Sequence, residues 1–480
     1  MGTAVLGKTR RKFAKVGTAI PSLVYQARNN RRRSYNFMQI DTLRWIDRYL
    51  GIPLCWIFSF IRRIDSIIRP NPVLPKPQKV LIIKLSEMGS TVLAYPALAE
   101  LKRRCPDVKF YFLVFAKNAA IMEILKLAPT ENIIRVDHRT LGTLMQSGLQ
   151  AMQRLFKERI DSTIDMDFFS RLTMLISFVA CRGNRVGFHR YNDEGLYRGD
   201  LLTHRVLYSP HIHTSAAFTS LVRSLFQEPN DEPYYRGSVN PRELTGLQHI
   251  PEAADLTSVR HKLRSAGIEP DSSIVILINP NSSDIFPLRK WPLKNYGQLC
   301  CQLLEKIPRC ALVITGVSSE KEDAKYILER VQSSRCVDFT GMTNFRELLA
   351  LYSLAAVMVT NDSGPAHFAS LLRLPTLVFF GPETPRLYSP IGDKHKDMYS
   401  HFACSPCVSV YNGKKSPCQE NRCLMAITPE AAFKEVLSSL DEVTAMQGRL
   451  LSNNFPLNED KTGQENAGPV CAPKPEGSQS

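Results

Sequence analysis

The chain has 480 residues, of which 44% are hydrophobic and 22% charged, enough apolar material for two or three domains at ~150 residues each. That balance excludes a disordered polymer and a disulfide-stapled miniprotein, and no run approaches the ~20 apolar residues of a spanning helix, which excludes a multispan membrane protein. The net charge of +16 is localised: residues 1–79 hold 16 Lys and Arg against three acids, which is +13, and the rest of the chain carries +3.

A fold that grips nucleic acid spreads its charge over a folded face, so no nucleic-acid partner is expected. A basic leader ahead of a near-neutral body suits a tether to an anionic membrane surface, here through residues 1–78. Its first part is a basic arm of Lys8, Arg10, Arg11, Lys12, Lys15, Arg28 and the run Arg31 to Arg33. From Phe37 to Ile68, Leu43, Ile46, Leu50, Leu54, Ile57 and Ile61 recur at three- and four-residue spacing, with Trp45 and Trp56 beside them and Arg44, Arg48, Arg62 and Arg63 flanking. This pattern fits an interfacial helix on an anionic leaflet, kinked or split at Pro53; the other reading is a helical hairpin packed on the body. Arg10-Arg11 resembles a twin-arginine export signal, but Pro21 and Gln26 interrupt the apolar segment that follows, and position 6 lacks the Ser or Thr of a myristoylation site. The expected location is cytoplasmic, peripheral on the inner face of the cytoplasmic membrane.

After the prolines at 70, 72, 75 and 77, Lys79 to Leu85 reads as a strand buried on both faces, followed by a tight turn at Gly89 and a helix from Thr91 to Arg104. Val108 to Phe115 (strand), Ala119 to Leu127 (helix) and Asn132 to Val136 (strand) continue the alternation of a doubly wound parallel sheet. Residues 228–260 show weak periodicity and read as a connecting segment. The alternation restarts with strands Ile274 to Ile278, Ala311 to Thr315, Ala356 to Thr360 and Thr376 to Phe380. Helices are expected at Leu293 to Lys306, Lys321 to Val331, Phe345 to Ser353, after Gly364 and after Thr428-Pro429. The organisation is therefore α/β: a basic helical extension (1–78), two Rossmann-like domains (79–250 and 251–445) facing a central cleft, and a polar, disordered tail (446–480).

Two loops carry the chemistry. In Val359-Thr360-Asn361-Asp362-Ser363-Gly364-Pro365-Ala366-His367 a buried strand runs into a helix start. Asp362 suits sugar or ribose hydroxyls, Ser363 and Gly364 suit phosphate, and His367 lies one turn in; the plainer reading is a simple helix cap. Asn279-Pro280-Asn281-Ser282-Ser283, then Arg289-Lys290-Trp291-Pro292, follows the first strand of the second half. Both loops fall on one sheet edge, where Arg289 and Lys290 would neutralise a leaving diphosphate.

Lys79-Val80-Leu81-Ile82-Ile83-Lys84-Leu85-Ser86-Glu87-Met88-Gly89-Ser90, Arg289 to Pro292, Asn361 to His367 and Phe379-Phe380-Gly381-Pro382-Glu383-Thr384-Pro385 together resemble the ordered motifs of the glycosyltransferase family 9 heptosyltransferases, over residues 79–445. The resemblance implies a GT-B fold with the sugar nucleotide on the C-terminal half and the acceptor on the N-terminal half. It implies an inverting, metal-independent transfer of a sugar, most simply heptose from ADP-heptose, to a lipid-linked saccharide such as lipopolysaccharide core. By position, Ser282, Arg289, Lys290, Asp362, Ser363, Gly364 and His367 resemble donor-binding residues. Glu320 falls near the nucleoside and Met342 near the base, where a buried gap-filler is an equal reading. The family's usual catalytic aspartate is replaced by Ser90, and serine does not act unaided as a base at neutral pH, so Glu87 is the expected substitute, with a displaced base elsewhere as another reading. The alternative is a nucleotide-sugar-binding or scaffolding protein with a degenerate site. Asp165-Met166-Asp167 reads as a strand-end feature.

Twelve cysteines include Cys55, Cys181, Cys300, Cys301 and Cys310 in apolar contexts, where they read as small hydrophobes. The spacing of Cys404, Cys407, Cys418 and Cys423 opens with C-x-x-C and suits a structural Zn2+, the other reading being paired or free thiols; no metal is expected in catalysis.

Overall fold

The computed structural model describes residues 40–68, 76–85, 87–189, 198–229, 244, 246–282, 286–410 and 416–447. The basic arm and the polar tail lie outside them. Two helices come first, α1 (Ile40–Tyr49) and α2 (Gly51–Ile68). The break falls at Leu50 rather than at Pro53, because Pro53 sits in the first turn of α2, where a missing N–H forfeits no helical bond.

The first sheet is built from β1 (Lys79–Ile83), α3 (Met88–Arg104), β2 (Lys109–Phe115), α4 (Ala119–Leu125), β3 (Ile133–Val136) and α5 (Leu141–Glu158). It is completed by β4 (Ser162–Asp165), α6 (Arg171–Ala180), β5 (Asn184–Phe188), β6 (His204–Val206) and α7 (Thr214–Ser224). Its strands are all parallel, in the order β3-β2-β1-β4-β5-β6.

The second half opens with α8 (Ala253–Ser265), which starts inside the stretch expected to be a connector and runs five residues past its end. Only Val259 and Leu263 of this helix are buried, so its apolar periodicity is faint. Then come β7 (Ile274–Asn279), α9 (Leu293–Lys306), β8 (Cys310–Ile314), α10 (Lys321–Val331), β9 (Cys336–Asp338) and α11 (Phe345–Ser353). They are followed by β10 (Val357–Asn361), α12 (Gly364–Ser370), β11 (Thr376–Phe380), α13 (Pro385–Tyr388), β12 (His395–Tyr399), α14 (Arg422–Met425) and α15 (Pro429–Gln447). The order β12-β11-β10-β7-β8-β9 repeats the topology of the first sheet. Each sheet reverses its strand order once, between β1 and β4 and between β7 and β10, and loops at such points are where α/β sheets hold ligands. The chemistry-bearing loops leave β1, β7 and β10.

The halves pack on one another. One apolar core holds Leu98 and Phe218 from the first with Phe368 and Leu371 from the second. Gly89 lies in the first turn of α3, which starts at Met88, so it makes no free-standing turn. A Cβ there would come within 2.7 Å of His367 Cδ2 and 3.2 Å of Gly364 Cα. The residue is small because two domains meet on it.

The α1–α2 hairpin is fastened to the first half by polar contacts. Asp47 Oδ1 accepts the backbone N–H groups of Arg171 (2.7 Å) and Leu172 (3.0 Å) at the start of α6. Ser59 Oγ accepts the Asp200 N–H at 2.7 Å, and Arg62 pairs with the Asp200 carboxylate at 2.6 Å. Cys55 is fully buried beneath this contact, while the row Leu50, Leu54, Ile57 and Ile61 stays exposed. Gly199 has φ +72°, and a Cβ on it would meet the Cys55 carbonyl at 2.8 Å. A Gly199→Val substitution is expected to unseat the hairpin at a cost of about 2 kcal/mol or more. Limited proteolysis should then cut within residues 40–68 while the body stays resistant.

Candidate functional site

Asn361 ties the loops after β7 and β10 together. Its Oδ1 accepts the Trp291 N–H at 2.8 Å, and its Nδ2 donates to the Pro280 carbonyl at 2.9 Å and the Asn281 carbonyl at 3.1 Å. Trp291 is fully buried, stacks on Phe379 at 4.2 Å and donates its indole N–H to the Ile427 carbonyl at 2.9 Å. These contacts set the neighbouring Arg289 over Asp362, with Nη1 3.5 Å from Oδ2. Burial works against the Arg289 charge, but Asp362, Glu383 and Glu87 together hold its pKa above the ordinary value. Arg289 is thus a permanent cation ringed by carboxylates.

Lys290 points elsewhere. Its Nζ lies 2.7 Å from Asp323 Oδ2 on α10, so the structure does not bring it beside Arg289 as a second phosphate cation. Arg289 ends the 3-10 turn Pro287–Arg289 and Lys290 follows in extended backbone, so the two side chains leave in different directions. Ser282 is buried, its hydroxyl 3.4 Å from the Phe286 carbonyl. Ser363 donates to the Asn361 carbonyl at 3.2 Å and makes no side-chain cap bond; Gly364 opens an α12 of only seven residues.

A second group lies beyond the end of β8. A Cβ on Gly316 would meet Asn281 Nδ2 at 2.7 Å, Glu320 Oε2 at 2.8 Å and Thr340 Cγ2 at 3.2 Å, so these three side chains close around one point. Glu320 Oε2 accepts the Val317 N–H at 2.8 Å. Met342 is 45% exposed and therefore not a core gap-filler. Asn281 Oδ1, Thr340 Oγ1, Arg289 Nε and His367 Nδ1 are buried without a hydrogen-bond partner, so a polar ligand entering here would find groups to bond.

From the first half, Glu87 faces this group at the start of α3. It is exposed and has φ 54° and ψ 104°, a conformation that costs a non-glycine residue energy and recurs at functional loops. Its charge is felt by Arg289, His367, Tyr388 and Lys117. The loop is braced from below: Lys84 Nζ meets Asp167 Oδ1 at 3.0 Å, and the Leu85 N–H donates to Asp167 Oδ2 at 2.8 Å. Asp165 is buried against Arg198 and accepts the Thr173 hydroxyl at 2.9 Å. The Asp165–Asp167 pair is thus a strand-end brace. Ser90 donates to the Glu87 carbonyl at 2.9 Å, a local helix-start bond.

Burial pushes the His367 imidazole down to about 3, with His213 adding to the effect and Glu87 opposing it. Burial likewise lowers His213 to about 4, against the Ser389 carbonyl that it meets at 2.9 Å across the domain boundary. Both rings are neutral at pH 7. Because the unfolded chain takes up these protons near pH 6.5 and the folded one does not, their stability contribution is complete above pH 6.5. It is lost as pH falls toward 4 and then 3, by about 1.4 kcal/mol per pH unit for each ring. Denaturant midpoints recorded between pH 7 and pH 4 should show this fall, and a His213→Gln variant should show about half of it.

Cys404, Cys407, Cys418 and Cys423 line one cavity of about 300 Å³, beside Pro382 and next to Asn421, which donates to the Lys290 carbonyl at 2.9 Å. All four are reduced, and among the described residues no group of three or more His, Cys, Asp or Glu side chains is disposed to hold a metal ion. The donor set has the right elements for zinc, and Cys404, Cys407 and Cys418 lie close enough for their charges to act on Cys423. Of the cysteines expected to be small hydrophobes, Cys55, Cys181, Cys300 and Cys310 are buried and reduced, whereas Cys301 is disulfide-bonded.

Sequence reasoning did not single out Glu383, buried beside Arg289, nor Lys117 near Glu87. Glu383 lies within the Phe379 to Pro385 motif, but its approach to Arg289, like that of Lys117 to Glu87, comes from strand adjacency and not from local spacing.

Residues 244–416 match the model of glycosyltransferase family 9 (heptosyltransferase). The lipooligosaccharide heptosyltransferase 2 of Haemophilus influenzae is 27% identical over 153 residues, covering 31% of this chain and 43% of that protein, so the chain matches less than half the length of this relative. The lipopolysaccharide heptosyltransferase 1 of Pseudomonas aeruginosa is 23% identical over 366 residues, covering 73% of this chain and 92% of that protein. Among solved structures, the E. coli ADP-heptose lps heptosyltransferase II superposes with a TM-score of 0.60 at 17% identity, covering 76% of this chain and 99% of that one. At that identity the likeness shows the fold, GT-B, in agreement with the two repeated sheets.

Proposed function

We propose that this chain, a member of glycosyltransferase family 9 through its residues 244–416, transfers heptose from ADP-heptose to a lipid-linked saccharide of the lipopolysaccharide-core type. The observation that carries the reading is the half-buried Arg289, set over Asp362 by the Asn361 brace and faced by Glu87 from the other domain. The adenosine end is assigned to Asn281, Glu320, Thr340 and Met342, the diphosphate to Arg289, Ser282, Ser363 and the Gly364 turn. Asp362 orients the donor, and His367, neutral and pressed on Gly89, keeps the two halves in register.

In the step itself, the acceptor hydroxyl loses its proton to the Glu87 carboxylate as its oxygen bonds the anomeric carbon. The bond from that carbon to the diphosphate breaks on the opposite face, its electron pair leaves with ADP, and the configuration inverts. Arg289 offsets the charge gathering on the leaving diphosphate, so the step is drawn without a metal. Ser90 packs the loop that presents Glu87.

Among the described residues no helix is long and apolar enough to cross a membrane. The basic residues 1–78 support docking on the inner face of the cytoplasmic membrane, where a lipid-linked acceptor is met.

The test is a Glu87→Gln variant assayed beside the wild type. Turnover of ADP-heptose should fall about 100-fold or more, with calorimetric ADP affinity within about threefold of wild type. A wild type that binds ADP but turns over no donor would favour the degenerate-site binder; selective binding of GDP or UDP would overturn the heptose assignment.

A further inference from the structure

Exposed large apolar side chains are concentrated on one face of this molecule. Of 26 among the described residues, twelve lie on the α1–α2 hairpin, four on α5 and two on α6. On the hairpin they include Trp45 (57% exposed), Trp56 (64%), Phe60 and Ile64. On α5 they are Leu141, Met145, Leu149 and Phe156, at spacings of four, four and seven residues, which place them on one helical stripe. On α6 they are Leu172 and Val179, seven residues apart and again on one stripe.

These helices adjoin. Cys55 and Phe58 of α2 pack with Met174 and Phe178 of α6. The inner sides of α5 and α6 share a core with Leu81 and Ile83 on one face of the first sheet, through Ala151, Leu155 and Ala180. The opposite face carries α3 and α7, and it is α3 that meets the second half. The stripes therefore form one surface on the side of the sheet away from the cleft.

We infer that this α1–α2–α5–α6 surface is a monotopic docking face for an anionic lipid bilayer, so that the fold's own helices, and not the basic leader alone, sit in the interface. The inference deepens the membrane part of the proposed function and rests on it. Charge selects the occupant. Residues 1–39 hold nine Lys and Arg with no acid and join the hairpin at its first residue. Exposed Arg48, Arg63, Lys157, Arg159 and Arg182 belong to the same helices or to the residues just beyond them. Two copies stacked on this face would bring two such leaders together, whereas an anionic leaflet neutralises them. Trp at an apolar–polar boundary is the usual interfacial anchor. Because Asp47, Ser59 and Arg62 fasten the hairpin, the bilayer plane is fixed relative to the first domain.

The experiment uses the full chain with vesicles of phosphatidylcholine, with and without phosphatidylglycerol. The chain has three tryptophans; Trp291 is buried, so a change in emission reports Trp45 and Trp56. Expected are sedimentation with the anionic vesicles, a blue shift, and quenching by brominated acyl chains. The triple variant Leu141→Gln, Met145→Gln, Leu149→Gln, at exposed sites outside the cleft, should partition about tenfold more weakly or worse, with ADP binding and melting temperature unchanged. Wild type and triple variant binding equally would overturn the α5 face and leave docking by residues 1–78 standing. No wild-type binding would remove both the face and the membrane part of the proposed function without touching the donor chemistry. Self-association of the wild type that the triple variant abolishes, without vesicle binding, would give the surface to a second copy and overturn the inference.

Discussion

Arg289→Met is expected to weaken ADP binding about 100-fold or more and to take the proposed heptosyl transfer below detection. Arg289 is the cation to which Asp362, Glu383 and Glu87 all respond, and Lys290 cannot replace it because Asp323 holds its ammonium 2.7 Å away. Without Arg289 the cleft would present its acids to a diphosphate, changing attraction into repulsion where charge matters most. The substitution also takes a positive charge away from the buried Asp362 and Glu383, so a stability loss of about 3 kcal/mol should accompany the loss of binding. Calorimetry with ADP and a denaturant titration on the same preparation separate the two effects. Arg289→Lys keeps a charge but not the planar fork, and should recover most of the stability and only part of the affinity. ADP binding within about threefold of wild type in Arg289→Met would remove Arg289 from the diphosphate site.

Continuous apolar runs announced the buried strands well: Lys79–Ile83, Ile274–Asn279 and Thr376–Phe380 stand within two residues of expectation, because a strand covered on both faces tolerates little but aliphatics. The two donor loops were legible for a related reason, since strand ends at a sheet reversal are marked by Asn, Asp, Ser, Gly and Pro. Less legible was what those loops do to each other. Arg289 and Lys290 are adjacent and alike in charge, yet one 3-10 turn sends them to different acids. Gly89 reads locally as a turn, whereas its reason is the His367 ring of another domain. Helix α8 hid in a polar stretch because two buried side chains anchor it. The cysteines illustrate the same limit: spacing brings Cys404, Cys407, Cys418 and Cys423 to one cavity, but ligand geometry is a tertiary property.

Asn361→Leu should be the most damaging small change in the second domain, lowering its stability by about 3–6 kcal/mol. Leucine nearly matches the shape of asparagine but leaves three buried main-chain groups without their partner: the Trp291 N–H and the Pro280 and Asn281 carbonyls. At about 1–3 kcal/mol for each desolvated group, the total is a large share of an ordinary 5–15 kcal/mol domain stability. The functional cost comes by displacement. Asn361 joins the loop after β7 to the segment after Arg289, so losing it frees the guanidinium to drift, and ~1 Å of drift at a reacting centre costs ~100-fold in rate. Asn361→Asp discriminates between lost shape and lost bonds. It keeps an acceptor for the Trp291 N–H but turns the two donated bonds into oxygen–oxygen contacts, so it should be no better than leucine, whereas Asn361→Ser should fall between leucine and wild type. A leucine variant within about 1 kcal/mol of wild type would show that these loops hold their places without the Asn361 brace, and the donor site would then owe its geometry to the Trp291–Phe379 stack instead.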